Sequence, residues 1–153
     1  MTDSGISLVV RRTIRATPAR LFEAWTRPEL LEKWWGPRDV TCTAAEFDLR
    51  PGGRYRIANL LPDGKTLWIT GVIEEVSPPE RLVYSWSVEP LPAHLAGAPE
   101  HSRVTVQFRA RGRTTEVIVV HENIPNTAIR DDHEAGWTGC LEGLAIFFGE
   151  RPD

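Results

Sequence analysis

The spacing of apolar residues divides the chain into a strand, a helical stretch, a long alternating region and a final helix. Residues 6–14 (ISLVVRRTI) are rich in β-branched side chains and read as a strand. Thr17 then offers a helix N-cap, and Pro18 suits the first helical position. Leu21, Phe22 and Trp25 follow at helical spacing. Pro28 starts a second short helix carrying Leu30, Leu31, Trp34 and Trp35, which Gly36-Pro37 stops.

From residue 40 the period changes to two. Strands are predicted over 40–48, 54–60, 66–76, 81–88, 102–110 and 113–121. Turns come from Pro51-Gly52-Gly53, Pro62-Asp63-Gly64, Pro78-Pro79 and Arg111-Gly112. Segment 89–101 (EPLPAHLAGAPEH) holds three prolines and no period, and reads as a loop. The clearest helix spans 126–148. Asn126 is its N-cap, and Asp131, Asp132 and Glu134 in the early turns suit the helix dipole. Ile129, His133, Trp137, Cys140, Leu141, Leu144 and Phe148 share one face. Only a sheet is large enough to cover that face. Strands joined by short loops are antiparallel. The expected architecture is therefore α+β: seven antiparallel strands in a curved sheet around a long C-terminal helix, with two short helices after the first strand.

Strand parity assigns the faces. Tyr55, Ile57, Tyr84, Trp86, Val106, Phe108, Val119 and His121 form the inner wall. The helix adds His133, Trp137, Cys140 and Leu141. The second face of 113–121 also carries Ile118 and Val120, so alternation is weaker there. Asn59, His121 and His133 are the polar groups on the apolar wall. Two readings stay open: the wall fills a core, or it lines a cavity.

Composition narrows the picture. Of 153 residues, 41% are apolar and 25% charged, so a folded chain is expected, read as one domain over 1–153. A net charge of −3 argues against a broad nucleic-acid-binding surface. No apolar run reaches the ~18 residues that a membrane span needs. Residues 1–8 lack the pattern of a secretory signal, and Cys42 and Cys140 are too few for a disulfide framework. Both points lead us to expect a cytoplasmic protein with two reduced thiols. Six tryptophans stand out, since large aromatics fill cores and also line pockets.

Four segments together resemble a known family. They are Thr17 through Gly36 (TPARLFEAWTRPELLEKWWG), Asp48 through Gly53 (DLRPGG), Gly71 through Trp86 (GVIEEVSPPERLVYSW), and His133-Glu134-Ala135-Gly136-Trp137 with Leu141 and Leu144. In this order they resemble the START/polyketide-cyclase superfamily, in the subfamily similar to the C-terminal domain of the activator of heat-shock-protein-90 ATPase. The resemblance runs from about Ile6 to Phe148. It implies a helix-grip fold, which agrees with the seven strands. It does not imply one function, because such folds host ligand carriers, cyclases, hydrolases and co-chaperone modules.

With the resemblance added, the cavity reading leads. Its expected ligand-binding residues are Tyr55, Tyr84, Trp86, Phe108, His121, His133, Trp137 and Cys140, around a small hydrophobic or aromatic molecule. An imidazole at this wall can bind a ligand oxygen or move a proton. The alternatives are a cyclase- or hydrolase-type enzyme on the same cavity, with His121 or His133 as acid/base, and a chaperone-associated interaction domain. A homodimer is left open. No metal or other cofactor is expected: His94 and His101 lie in the loop, and no metal-ligand pair spacing occurs. Cys140 is seven residues, ~10 Å, beyond His133 on the helix, too far for an activated pair. Gly136, Gly139 and Gly143 are unusual in a helix, each costing about 1 kcal/mol relative to alanine. Close packing or ligand volume would account for them. Asp48 and Arg50 read as a surface pair beside a turn.

Overall fold

The computed structural model describes residues 5–36, 39–89 and 102–149. The loop expected over 89–101 lies outside the described residues apart from Glu89, as do His94, His101 and Pro37. The chain order is β1 (Ser7–Ile14), α1 (Pro18–Thr26), α2 (Pro28–Trp34), β2 (Thr41–Phe47), β3 (Arg54–Leu60), β4 (Thr66–Ser77), β5 (Arg81–Glu89), β6 (Ser102–Arg111), β7 (Thr114–Glu122) and α3 (Thr127–Phe147). Thr17 caps α1 by accepting from the Arg20 amide at 3.2 Å. Asn126 caps α3 by accepting from the Ile129 amide at 2.9 Å. Each cap satisfies a backbone donor that the helix cannot.

The seven strands form one antiparallel sheet in the order β1-β7-β6-β5-β4-β3-β2. Strands β1 and β2 are consecutive in the chain yet lie at opposite edges. The connection between them, α1 and α2, must cross the sheet from side to side. It does so on the inner face, where α1 packs against β6 and α2 against β2. Helix α3 packs against β1 and α2. The inner face is therefore shared by three helices. Bulges between Cys42 and Ala44 and between Ile73 and Glu75 break the register, and such bulges bend strands and increase twist.

The core is apolar and aromatic. Leu82, Val104, Val106, Val117 and Val119 from the sheet meet Leu21, Trp25, Leu31, Trp137 and Leu144 from the helices. On the outer face Ile118 is buried as well, which is why the alternation of β7 is imperfect. Gly52, at φ +86° in the β2–β3 turn, holds a backbone conformation that a side chain disfavours. Beside it the Arg50 guanidinium donates to Asp48 on the surface at 2.9 Å, as the sequence reading expects. Among the described residues, no helix is long and apolar enough to cross a membrane.

Candidate ligand cavity

Between α3 and the β3–β5 side of the sheet lies a cavity of about 170 Å³. Its wall is mostly apolar: Trp35, Leu67, Ile69, Trp86, Val88 and Trp137, with Cys140 from the helix. Val40 and Leu61 are half-buried and Asp132 is exposed, so these residues mark its mouth. Asn59, His133 and Gly136 complete the lining. An apolar cavity of about 150 Å³ takes up benzene, so this space suits a molecule of about one aromatic ring.

The wall is held by hydrogen bonds that orient its indoles. Trp35 Nε1 donates to Asn59 Oδ1 at 3.1 Å. Trp137 Nε1 donates to His121 Nδ1 at 3.1 Å. An indole N–H only donates, so Nδ1 of His121 must carry the lone pair and Nε2 the proton. Nε2 then donates to Ser102 Oγ, 2.7 Å away. Both partners are buried, His121 completely. A serine activated for nucleophilic attack needs the reverse arrangement, an Nε2 that accepts the hydroxyl proton. In this geometry His121 is a positioning residue for Trp137. His133 stacks on it, with ring centroids 4.6 Å apart and planes inclined by 10°.

Of the eight residues expected at a ligand site, the structure brings four to the cavity wall: Trp86, His133, Trp137 and Cys140. The other four lie elsewhere in the buried interior. Phe108 packs edge-on against Phe22 and Trp25, at centroid distances of 5.8 and 6.0 Å. The space under it is filled by α1. Tyr84 is buried beside Tyr55, 4.9 Å between centroids, and burial pushes its phenol pKa well up. Tyr55 Oη donates to the Ser85 carbonyl at 2.7 Å. His121 sits one layer behind His133. Sequence reasoning left Trp35, Leu67, Ile69, Val88 and Asp132 out of the site. Parity alone would have placed Ile69 and Val88 on the inner face. Trp35, just past the end of α2, carried no such signal.

Two of the helix glycines, Gly136 and Gly143, have different surroundings. A Cβ on Gly136 would meet nothing within 4 Å, so this glycine leaves volume at the cavity. A Cβ on Gly143 would lie 2.7 Å from the Trp34 carbonyl oxygen, so this one permits the close approach of α2. Opposite effects are expected from the same substitution. Gly136→Ala should stabilise by about 0.5–1 kcal/mol through helix propensity. Gly143→Ala should destabilise, since overpacking of about 1–3 kcal/mol outweighs the same gain. Urea unfolding of the two variants checks this, and shifts of the same sign would refute the division of roles.

Both cysteines are free and buried. Burial pushes the Cys140 thiol up to about 12 and the Cys42 thiol up to about 11, so both are protonated near neutral pH. Cys140 therefore contributes apolar surface to the cavity, not a nucleophile. Among the described residues, no three His, Cys, Asp or Glu side chains come together as metal ligands.

A seven-stranded antiparallel sheet gripping a C-terminal helix, with an apolar space between them, defines a helix-grip protein. Comparison with known proteins narrows the class. Residues 15–149 match the model of the family described as activator of Hsp90 ATPase homolog 1-like protein, and the chain belongs to this family. No curated protein matches the sequence. Among solved structures, a protein from Chromobacterium violaceum is similar at 26% identity and TM-score 0.83, covering 95% of this chain and 98% of that one. A Rhodobacter sphaeroides protein is similar at 25% identity and TM-score 0.78, covering 99% of each. A Silicibacter pomeroyi protein bearing the family's name, 23% identical with TM-score 0.75 over 92% of this chain and 96% of its own, shares the fold.

Proposed function

We propose that this protein binds a small apolar or aromatic molecule in the cavity between α3 and the β3–β5 side of the sheet, acting as one domain. The observation that carries this reading is the apolar space of about 170 Å³ itself, walled by three indoles and left open at Gly136. Close packing is the norm in protein interiors, so a void of this size beside well-packed aromatics is a binding feature. The cytoplasmic assignment draws on the two free cysteines, which suit a reducing compartment.

The test is a panel of one- and two-ring aromatic compounds against the wild-type protein and Gly136→Leu. In the wild type, binders should perturb tryptophan fluorescence and raise the melting temperature. Gly136→Leu places its side chain in the void and should abolish both effects while leaving the circular dichroism spectrum unchanged. A panel in which no compound perturbs either signal overturns the reading. The family match supports a second reading, a chaperone-contacting module. On that reading the panel is silent, and added protein stimulates the ATPase of a heat-shock-protein-90 chaperone.

A further inference from the structure

The polar groups in the cavity wall differ in whether their hydrogen bonds are already used. Three indoles line it. The N–H of Trp35 is taken by Asn59 Oδ1, and that of Trp137 by His121 Nδ1. The N–H of Trp86 is buried and has no acceptor. Asn59 repeats the pattern. Because an indole can only donate, the bond from Trp35 fixes which end of the Asn59 amide is oxygen. The NH2 group must turn away from Trp35, and it makes no hydrogen bond among the described residues. Asn59 is only 5% exposed and Trp86 only 6%. Two buried residues on one cavity wall thus hold spare donors, while the one side-chain acceptor of the pair, Asn59 Oδ1, already takes the Trp35 N–H.

An unmet buried donor is costly, and a ligand group that meets it recovers that cost. Charge sets a second condition. The described lining contains no Lys or Arg. A carboxylate ligand would be desolvated with no cation among the described lining residues to meet it. We propose that the cavity selects an uncharged ring compound whose polar end only accepts hydrogen bonds: an aryl ketone, ester or tertiary amide. This rests on the ligand-binding reading of the same cavity and names the ligand class.

The experiment uses four probes of nearly one shape: acetophenone, α-methylstyrene, 1-phenylethanol and benzoate. Each is titrated into the full-length protein and followed by the indole N–H signals in proton–nitrogen NMR spectra. Trp86→Phe identifies the Trp86 signal by its loss. Acetophenone should bind about tenfold or more tighter than α-methylstyrene, in which a CH2 group replaces the carbonyl oxygen. It should move the Trp86 N–H proton downfield. Benzoate should bind more weakly than acetophenone. In Trp86→Phe the preference for acetophenone should shrink toward parity. If Trp86→Phe fails to fold, the wild-type affinities and the indole shifts still decide. Equal affinity for acetophenone and α-methylstyrene would overturn the acceptor proposal and leave the cavity reading standing. Tighter binding of benzoate or 1-phenylethanol would overturn the neutral-acceptor class. Failure of all four to bind would remove the cavity reading itself.

Discussion

Replacing Trp137 by alanine is expected to cost about 3–5 kcal/mol of stability, the range for truncating a fully packed tryptophan. Trp137 is 3% exposed on the buried face of α3. Its ring stacks on Trp25 at 6.0 Å and meets Trp35 and Trp86 at 5.6 and 5.3 Å. The alanine variant loses all three contacts and joins the vacated volume to the neighbouring cavity. Trp137→Phe separates the ring from its N–H. It keeps most of the packing but removes the N–H that donates to Nδ1 of the buried His121, an expected cost of about 1–3 kcal/mol. Chemical denaturation measures both. A loss under 1 kcal/mol for the alanine variant would show that α3 is not anchored through this residue.

Gly71→Ala should be nearly as damaging, at about 3 kcal/mol, the upper end of ordinary overpacking. A Cβ there would fall well inside contact distance of the Ser85 carbonyl oxygen and 2.7 Å from Tyr55 Cε1. The crowding follows from the register. Thr70 pairs with Ser87 and Ile73 with Tyr84 in one register, which sets Gly71 and Val72 beside the Ser85–Trp86 stretch of β5. The Val72 amide donates to Ser85 Oγ at 2.8 Å, and the Ser85 carbonyl accepts from Tyr55 Oη at 2.7 Å. The Tyr55 ring reaches Ser85 by crossing over Gly71, so the strand has no room for a side chain. Tyr55→Phe should cost less, about 1 kcal/mol for one hydrogen bond. Thermal unfolding of the two variants should rank them in that order. A Gly71→Ala protein as stable as the wild type would contradict the close approach.

Much of the architecture was legible in the sequence because it depends on near neighbours. The seven strands, the two proline-started helices and the cap at Asn126 appear within a residue or two of their expected places. Alternation put Tyr84, Trp86, Val106 and Phe108 on the inner face, and all four are buried. Period, capping and turn chemistry are local, and a side chain's face follows from its position in the strand.

The location of the empty space is not local. Phe108 and Trp86 share a face and look alike in the sequence. One is covered by Phe22 and Trp25, while the other borders the void. The difference arises because β1 and β2 occupy opposite edges, so α1 and α2 must cross the inner face and fill part of it. The histidines divide in the same way. His121 and His133 were equivalent candidates, but Ser102, nineteen residues before His121, and Trp137, sixteen after it, consume both of its ring nitrogens. His133 remains at the wall. The sequence by itself determined the elements and which way their side chains face, because those depend on spacing along the backbone. Only the tertiary structure decided which aromatics touch, which donors are spent and where volume is left over. Those outcomes depend on how side chains distant in the chain divide a shared interior, and no local period encodes that division.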